Sequence, residues 1–163
     1  MSPVALESVE SVASREAPAI ACDVFISYSR RDSIFAQKLY KALSSYTPPA
    51  GLGLPRQRLR VFFDQTDFTG VDYSESVAQH LRQSAKLLVV CSPNARAHSK
   101  YIGDEIRLFV GAHGARNVIP LLLAGIPNNE AAVGHEAELA FPRPLCDALE
   151  PPLARDFRGF EQR

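Results

Sequence analysis

The sequence predicts an α/β protein in which a parallel β-sheet lies between two layers of helices. Short runs of apolar and β-branched residues, typical of buried strands, occur at residues 22–27, 58–63, 86–91 and 117–123. Segments with helical periodicity separate these runs. Because strands that alternate with helices are joined by crossover connections, we expect the strands to run parallel.

Three helices are expected between these strands. The first covers about residues 32–46 and ends at the prolines and glycines of PPAGLGLP. The second covers about residues 73–84, and the third begins near Ser99. One side of the third helix carries apolar residues at helical spacing, namely Ile102, Ile106 and Phe109.

The two ends of the chain have weaker patterns than its middle. Residues 1–20 lack a sustained apolar stripe and are interpreted as a flexible leader. We expect the domain to cover residues 21–145. Towards the end, either a last strand and helix follow or the segment is a linker, and residues 146–163 are interpreted as a C-terminal extension or a linker to a missing domain. The absence of a clear terminal signal at FEQR suggests a fragment of a longer protein.

Charge and composition argue against several classes of protein. Eighteen basic and eighteen acidic residues give a formal net charge of zero, so the overall charge attracts neither nucleic acid nor anionic lipid. The three cysteines have neither an even number nor the spacing of zinc ligands. No apolar run is long enough to cross a membrane. We therefore expect a cytoplasmic protein with no metal, no direct nucleic-acid partner and no membrane partner.

The loops after the strands are the expected ligand sites of a parallel sheet, and common motifs are missing there. No GxGxxG motif follows a strand, and no P-loop, GxSxG elbow or HExxH motif occurs. These absences argue against Rossmann, P-loop, acyl hydrolase and zinc protease sites. A nucleotide or flavin binder is also disfavoured, because Arg30 and Arg31 are bulky where a phosphate needs close approach to the backbone.

Four segments follow one another along the chain, namely DVFISYSRRD, VFFDQTDFTGVDY, LLVVCSPNARAHSKYIGDEI and VIPLLL. In this order and at these spacings they resemble a Toll/interleukin-1 receptor (TIR) domain of the bacterial type, and the resemblance covers about residues 21–127. It implies a flavodoxin-like, doubly wound sheet of about five parallel strands. It also implies that Asp64–Asp72 corresponds to the BB loop of the family.

The resemblance implies a chemistry as well as a fold. Many TIR domains cleave NAD at the nicotinamide–ribose bond with one glutamate of the third helix, which matches Glu105. NAD is then the substrate, and no cofactor is expected. The Trp-Cys pair that commonly precedes this glutamate is Tyr101-Ile102 here, and the Pro-Gly of many receptor-type BB loops is Thr69-Gly70.

One carboxylate is chemically sufficient for this reaction. Nicotinamide leaves NAD as a neutral molecule from a cationic ring, so a general acid is unnecessary. A single carboxylate near the ribose can stabilise the positive charge that develops there. Tyr101 and Glu105 are four residues apart and therefore share a helical face beside the apolar stripe.

Six further residues are candidates for binding NAD: Tyr28, Arg30, Arg31, Asp64, Phe68 and Tyr101. The arginines precede the first helix, where they can hold the pyrophosphate or remain solvated surface residues. The aromatic residues can stack on nicotinamide or adenine, or pack at the loop bases. The aspartate can bind a ribose or cap the BB loop.

The resemblance also implies partners. Members of the family associate with other TIR domains through the BB loop, which activates NAD cleavage to ADP-ribose or a cyclic product. A fused sensor or oligomerisation domain outside this chain and a role in prokaryotic immune defence follow by analogy. The alternative is a non-catalytic scaffold that only recruits other TIR domains.

Overall fold

Five parallel strands form the central sheet in the part of the chain that the structure describes. A computed structural model describes residues 19–63, 71–97, 99–128 and 130–160. The strands are β1 (Cys22–Ser27), β2 (Val61–Phe63), β3 (Ser84–Cys91), β4 (Val118–Leu122) and β5 (Arg155–Asp156). They are ordered β2-β1-β3-β4-β5, and every neighbouring pair is parallel. This order is that of the flavodoxin-like fold, and it reverses direction between β1 and β3. The predicted fold class is therefore confirmed.

Helices connect the strands on both faces of the sheet. They are α1 (Ser33–Ser45), α2 (Val71–Arg82), α3 (Pro93–Ala97), α4 (Ser99–His113) and α5 (Arg143–Ala148). Short 3₁₀ turns cover Arg30–Asp32, Ala115–Asn117 and Glu136–Glu138. Helix α3 is not predicted from the sequence, because five residues are too few for a helical periodicity to be recognised.

The strands are apolar because both faces of the sheet are covered. Alternate side chains of a strand point to opposite faces, so β1 contributes Phe25 to one core and Val24 and Ile26 to the other. The core on the first face is completed by α2, α4 and α5, through residues such as Leu81, Ile106 and Leu145. On the second face the core is completed by α1, through Phe35, Leu39 and Leu43.

Strand β2 is shorter than the sequence predicts. It begins at Val61 instead of residue 58, and the residue before it, Arg60, bonds to the side chain of Asp23. The backbone N–H of Arg60 donates to Asp23 Oδ2 at 2.7 Å, and the Arg60 guanidinium donates to Asp23 Oδ1 at 2.9 Å. This contact joins the start of β2 to the start of β1.

The end of the chain completes the sheet. Of the two possibilities for this region, the structure has the one with secondary structure, in the order α5 and then β5. The segment 146–163, which we expected to be an extension or linker, thus contributes the edge strand, and the backbone N–H of Phe157 donates to Leu122 O at 2.8 Å. The Phe157 ring lies edge-on to Phe35, with 5.7 Å between centroids.

Candidate functional site

The predicted catalytic residue lies at the carboxyl end of β1. The hydroxyl of Ser27, the last residue of β1, donates a hydrogen bond to Glu105 Oε2 on α4. Ser27 is buried and Glu105 is partly buried. Ile102 and Ile106 of α4 pack into the core, so Glu105 lies at the edge of the buried stripe, next to the sheet rim. A carboxylate in this half-buried position interacts more strongly with a nearby cation than one in bulk water.

The two predicted tyrosines have different surroundings. Tyr101 lies one helical turn before Glu105 and is 62% exposed. Tyr28 follows Ser27 directly, and its ring stacks on Phe63 with 4.9 Å between centroids. The same Phe63 ring also stacks on Tyr40 of α1 at 5.4 Å. Tyr28 therefore packs at the base of the loops.

The two predicted arginines occupy an exposed turn with buried ends. Arg30 and Arg31 are exposed in the 3₁₀ turn that leads from β1 to α1. The flanking residues Ser29 and Asp32 are only 5% and 8% exposed. The backbone N–H of Asp32 donates to Ser29 O at 2.8 Å, which closes the turn. The two arginines thus belong to a short turn that is restrained at both ends. This turn follows the carboxyl end of β1, where Glu105 also lies.

A polar network beside this turn was not predicted. The buried Asp32 carboxylate accepts hydrogen bonds from Ser92 Oγ at 2.5 Å and from Asn94 Nδ2 at 2.8 Å. Ser92 Oγ in turn accepts from the backbone N–H of Ala95 at 3.0 Å, so it caps α3. The sequence contained one signal, since Asp32, Ser92 and Asn94 are polar residues that come shortly after strands. Their contact depends on β1 and β3 being neighbours, which the sequence alone does not reveal.

Two of the predicted binding residues lie outside the described residues. Asp64 and Phe68 belong to the predicted BB loop, Asp64–Asp72, of which residues 64–70 are not described. The last two residues of that segment are the first two of α2.

A cavity of about 310 Å³ lies close to α3 but contains none of the predicted site residues. It is lined by Pro93, Arg96, Ala97, Glu136, Ala137, Leu139 and Arg143. The Arg96 guanidinium donates to Phe141 O at 2.7 Å, so this cation has a structural role in joining α3 to the segment before α5.

In the described part of the chain, neither the cysteines nor the residue types that bind metals form a reactive site. Burial raises the pKa of the Cys91 thiol, and also those of the Cys22 and Cys146 thiols. Thiols with a raised pKa stay protonated at neutral pH and are poor nucleophiles. Among the residues that the structure describes, no group of three or more His, Cys, Asp or Glu side chains could hold a metal ion. None of the described helices is long and apolar enough to cross a membrane.

Comparisons with known proteins identify the family. No curated protein matches the chain significantly. A similar solved structure is the TIR domain of the Toll-related receptor TRR-2 from the lower metazoan Hydra magnipapillata, with 20% sequence identity and a TM-score of 0.48. That match covers 69% of this chain and 82% of the Hydra chain. The sequence model of the TIR domain matches residues 24–142, which is most of the chain. The chain therefore belongs to the TIR domain family.

Proposed function

We propose that this TIR domain cleaves NAD at the bond between nicotinamide and ribose, with Glu105 as the catalytic residue. The observation that carries the proposal is the hydrogen bond from Ser27 to Glu105 at the carboxyl end of β1. This position is next to the point where the strand order reverses, and ligands of doubly wound sheets bind in the crevice at such points. The half-buried Glu105 side chain combines partial access with a fixed orientation.

The reaction needs one negative charge beside the ribose. The bond between C1′ of the ribose and N1 of the pyridinium ring breaks, and its electron pair neutralises the departing nicotinamide. The Glu105 carboxylate stabilises the oxocarbenium ion that develops. A water oxygen then bonds to C1′ and loses its proton, which gives ADP-ribose. Capture by the adenine or a ribose hydroxyl of the substrate gives a cyclic product instead.

The remaining predicted residues bind the rest of NAD in this proposal. Arg30 and Arg31 hold the pyrophosphate, for which their exposed turn beside β1 is suited. Tyr101 is exposed one turn from Glu105 and stacks on a ring of the substrate. Tyr28, which packs on Phe63, forms the base of the binding site. Asp64 and Phe68 contribute from the BB loop.

We further propose that self-association controls the activity. A second TIR domain approaches through the BB loop, Asp64–Asp72, and completes the cleft beside Glu105. By analogy with the family, a sensor or oligomerisation domain outside this chain brings the copies together in the cytoplasm, in prokaryotic immune defence.

Release of nicotinamide from NAD tests the proposed reaction. The protein, at high concentration or fused to an oligomerising partner, is incubated with NAD, and the products are separated by chromatography. We expect Glu105→Gln to reduce the rate by at least about 100-fold, because the charge that stabilises the transition state is lost. Asp104→Asn is the matched control, since Asp104 is 59% exposed on the same helix and pairs with Arg107.

The outcomes separate the two possible functions. Nicotinamide release at an unchanged rate by Glu105→Gln contradicts the assigned mechanism. If every oligomeric form of the wild-type protein is inactive, the result favours the non-catalytic scaffold.

A further inference from the structure

Asp32 is a buried carboxylate whose two oxygens are both bonded to another loop. The residue is 8% exposed, and a buried charge is unfavourable unless hydrogen bonds compensate for the lost water. Ser92 Oγ donates to one oxygen and Asn94 Nδ2 donates to the other. These donors belong to the segment that follows β3, whereas Asp32 follows β1 and precedes α1. The Asp32 network therefore joins the two loops between which the strand order reverses.

The network holds the turn that carries the two arginines. The turn closes through the bond from the Asp32 N–H to Ser29 O, and the N–H of Ser33 donates to Arg30 O. Since Asp32 itself is bonded to the β3 loop, the backbone of the turn is restrained at its carboxyl end, while the buried Ser29 restrains the other end. A restrained backbone reduces the conformational entropy that the turn loses when its cationic side chains bind an anion.

We propose that Asp32 is a positioning residue for NAD binding, which acts by fixing the Arg30-Arg31 turn at the pyrophosphate. This inference rests on the proposed function. Asp32 has no contact with the substrate in this role, and its effect depends on the arginines. Substitution of Asp32 therefore raises KM more than it lowers kcat.

Asp32→Asn is the informative variant, because it preserves the size of the side chain. The two donors bond different oxygens of Asp32, and asparagine replaces one of these oxygens with an NH2 group, which donates and cannot accept. We expect this variant to bind NAD about tenfold more weakly. Asn94→Ala removes one donor and leaves the Ser92 cap of α3 in place, so it tests the same network if Asp32→Asn fails to fold. Asn117→Ala is the matched control, because it removes an asparagine hydrogen bond far from the site. Asn117 precedes β4, at the amino ends of the strands, and donates to His113 O.

Binding of NAD is measured by calorimetry in the Glu105→Gln background, where the substrate is not consumed. The Glu105→Gln protein is the parent of the series. It is compared with three variants of itself, which carry Asp32→Asn, the pair Arg30→Ala and Arg31→Ala, or all three changes. We expect the arginine pair to cost about a hundredfold in affinity. If Asp32 acts through the arginines, adding Asp32→Asn to that pair changes the affinity by less than about twofold.

Several results overturn the inference. An unchanged affinity in Asp32→Asn, or effects of Asp32 and the arginines that simply add, would show that Asp32 does not act through the turn. In both cases the parent still binds NAD, so the proposed function stands. If neither the wild-type protein nor the parent binds NAD, the proposed function fails and the inference fails with it.

Discussion

Single residues at the ends of strands determine how the two carboxylates of the site are held. Ser27 ends β1 and Ser92 follows β3, and both are 1% exposed. Each hydroxyl donates to a carboxylate, Ser27 to Glu105 and Ser92 to Asp32. Serine is suited to this place because its short side chain reaches a neighbouring element without filling the rim of the sheet.

Removal of the Ser27 hydroxyl tests its effect on Glu105. We expect Ser27→Ala to lower kcat for NAD cleavage by about tenfold, because Glu105 loses a hydrogen bond that orients its charge. The rate is measured as nicotinamide release. The control is Ser84→Ala, which removes another buried serine hydroxyl, bonded to His80 O at 2.6 Å at the other end of the sheet. Equal losses in the two variants would contradict a specific role for Ser27.

The pair formed by Asp23 and Arg60 predicts a pH dependence of stability. The hydrogen bonds from Arg60 lower the pKa of Asp23 below its ordinary value of 3.8. Between the folded and the unfolded pKa of Asp23, the folded state therefore binds fewer protons than the unfolded state. The stabilisation by this pair is complete above pH 3.8, and it is lost as the pH falls through the lower pKa of the folded state.

Asp23→Asn is expected to weaken this dependence. The variant loses about 1 kcal/mol of unfolding free energy at neutral pH, in keeping with a partly exposed ion pair. Its stability then falls less than that of the wild type when the pH is lowered to about 3. Urea unfolding at the two pH values measures both quantities. The same pH dependence in both proteins would refute the assignment.

At the level of elements, the loop after β4 is held close to the start of α3. Gly125 has a φ of +85°, and a Cβ atom there would lie 2.5 Å from Glu138 O and 2.9 Å from the Pro93 ring. The backbone N–H of Ile126 donates to the same Glu138 oxygen at 2.8 Å. The close approach of these segments therefore requires glycine for both conformation and space.

Gly125→Ala is expected to destabilise the protein by about 2–4 kcal/mol, because it strains the backbone and forces the loop away from α3. The change is measured as the free energy of unfolding in urea. Gly111→Ala is the control, since Gly111 is in α4 with nothing within 4 Å of its added Cβ. There we expect a gain of up to about 1 kcal/mol from helix propensity. A neutral Gly125→Ala variant would contradict the steric argument.

For the whole molecule, residues 155–160 connect strand β4 to the core under α1. Strand β5 pairs with β4, and Phe157 packs against the second-face core that contains Phe35. Phe160 also lies edge-on to Phe35, at 5.8 Å between centroids. The folded unit thus includes residues beyond the stretch that matches the TIR domain model, which ends at residue 142.

Phe157→Ala tests this contribution to the fold. We expect the free energy of unfolding to fall by about 2–3 kcal/mol, because a partly buried ring is lost from the contact with α1. Leu153→Ala is the matched control, since Leu153 is 82% exposed, and it should change stability by less than about 0.5 kcal/mol. A loss no larger than that of the control would show that the Phe157 ring contributes nothing to the stability of the fold.

Much of the fold could be predicted because it depends on local patterns. Runs of apolar residues located four of the five strands, and the stripe containing Ile102 and Ile106 located the buried side of α4. Strand β5 was not assigned to particular residues, since the two residues of Arg155–Asp156 are charged and carry no strand pattern. The position of Glu105 beside the buried stripe of α4 followed from helical spacing alone.

The α/β class, the TIR motifs and the helix face that carries Glu105 can be read from the sequence, because periodicity and motifs depend on residues close together in the chain. The partners of the two carboxylates become visible only in the folded chain. Ser27 and Glu105 are 78 residues apart, and Asp32 is 60 and 62 residues from Ser92 and Asn94. The contacts of Asp32 exist because β1 and β3 are neighbours, and the contact of Ser27 exists because α4 packs on the sheet. No local pattern encodes which strands will pair or where a helix will pack.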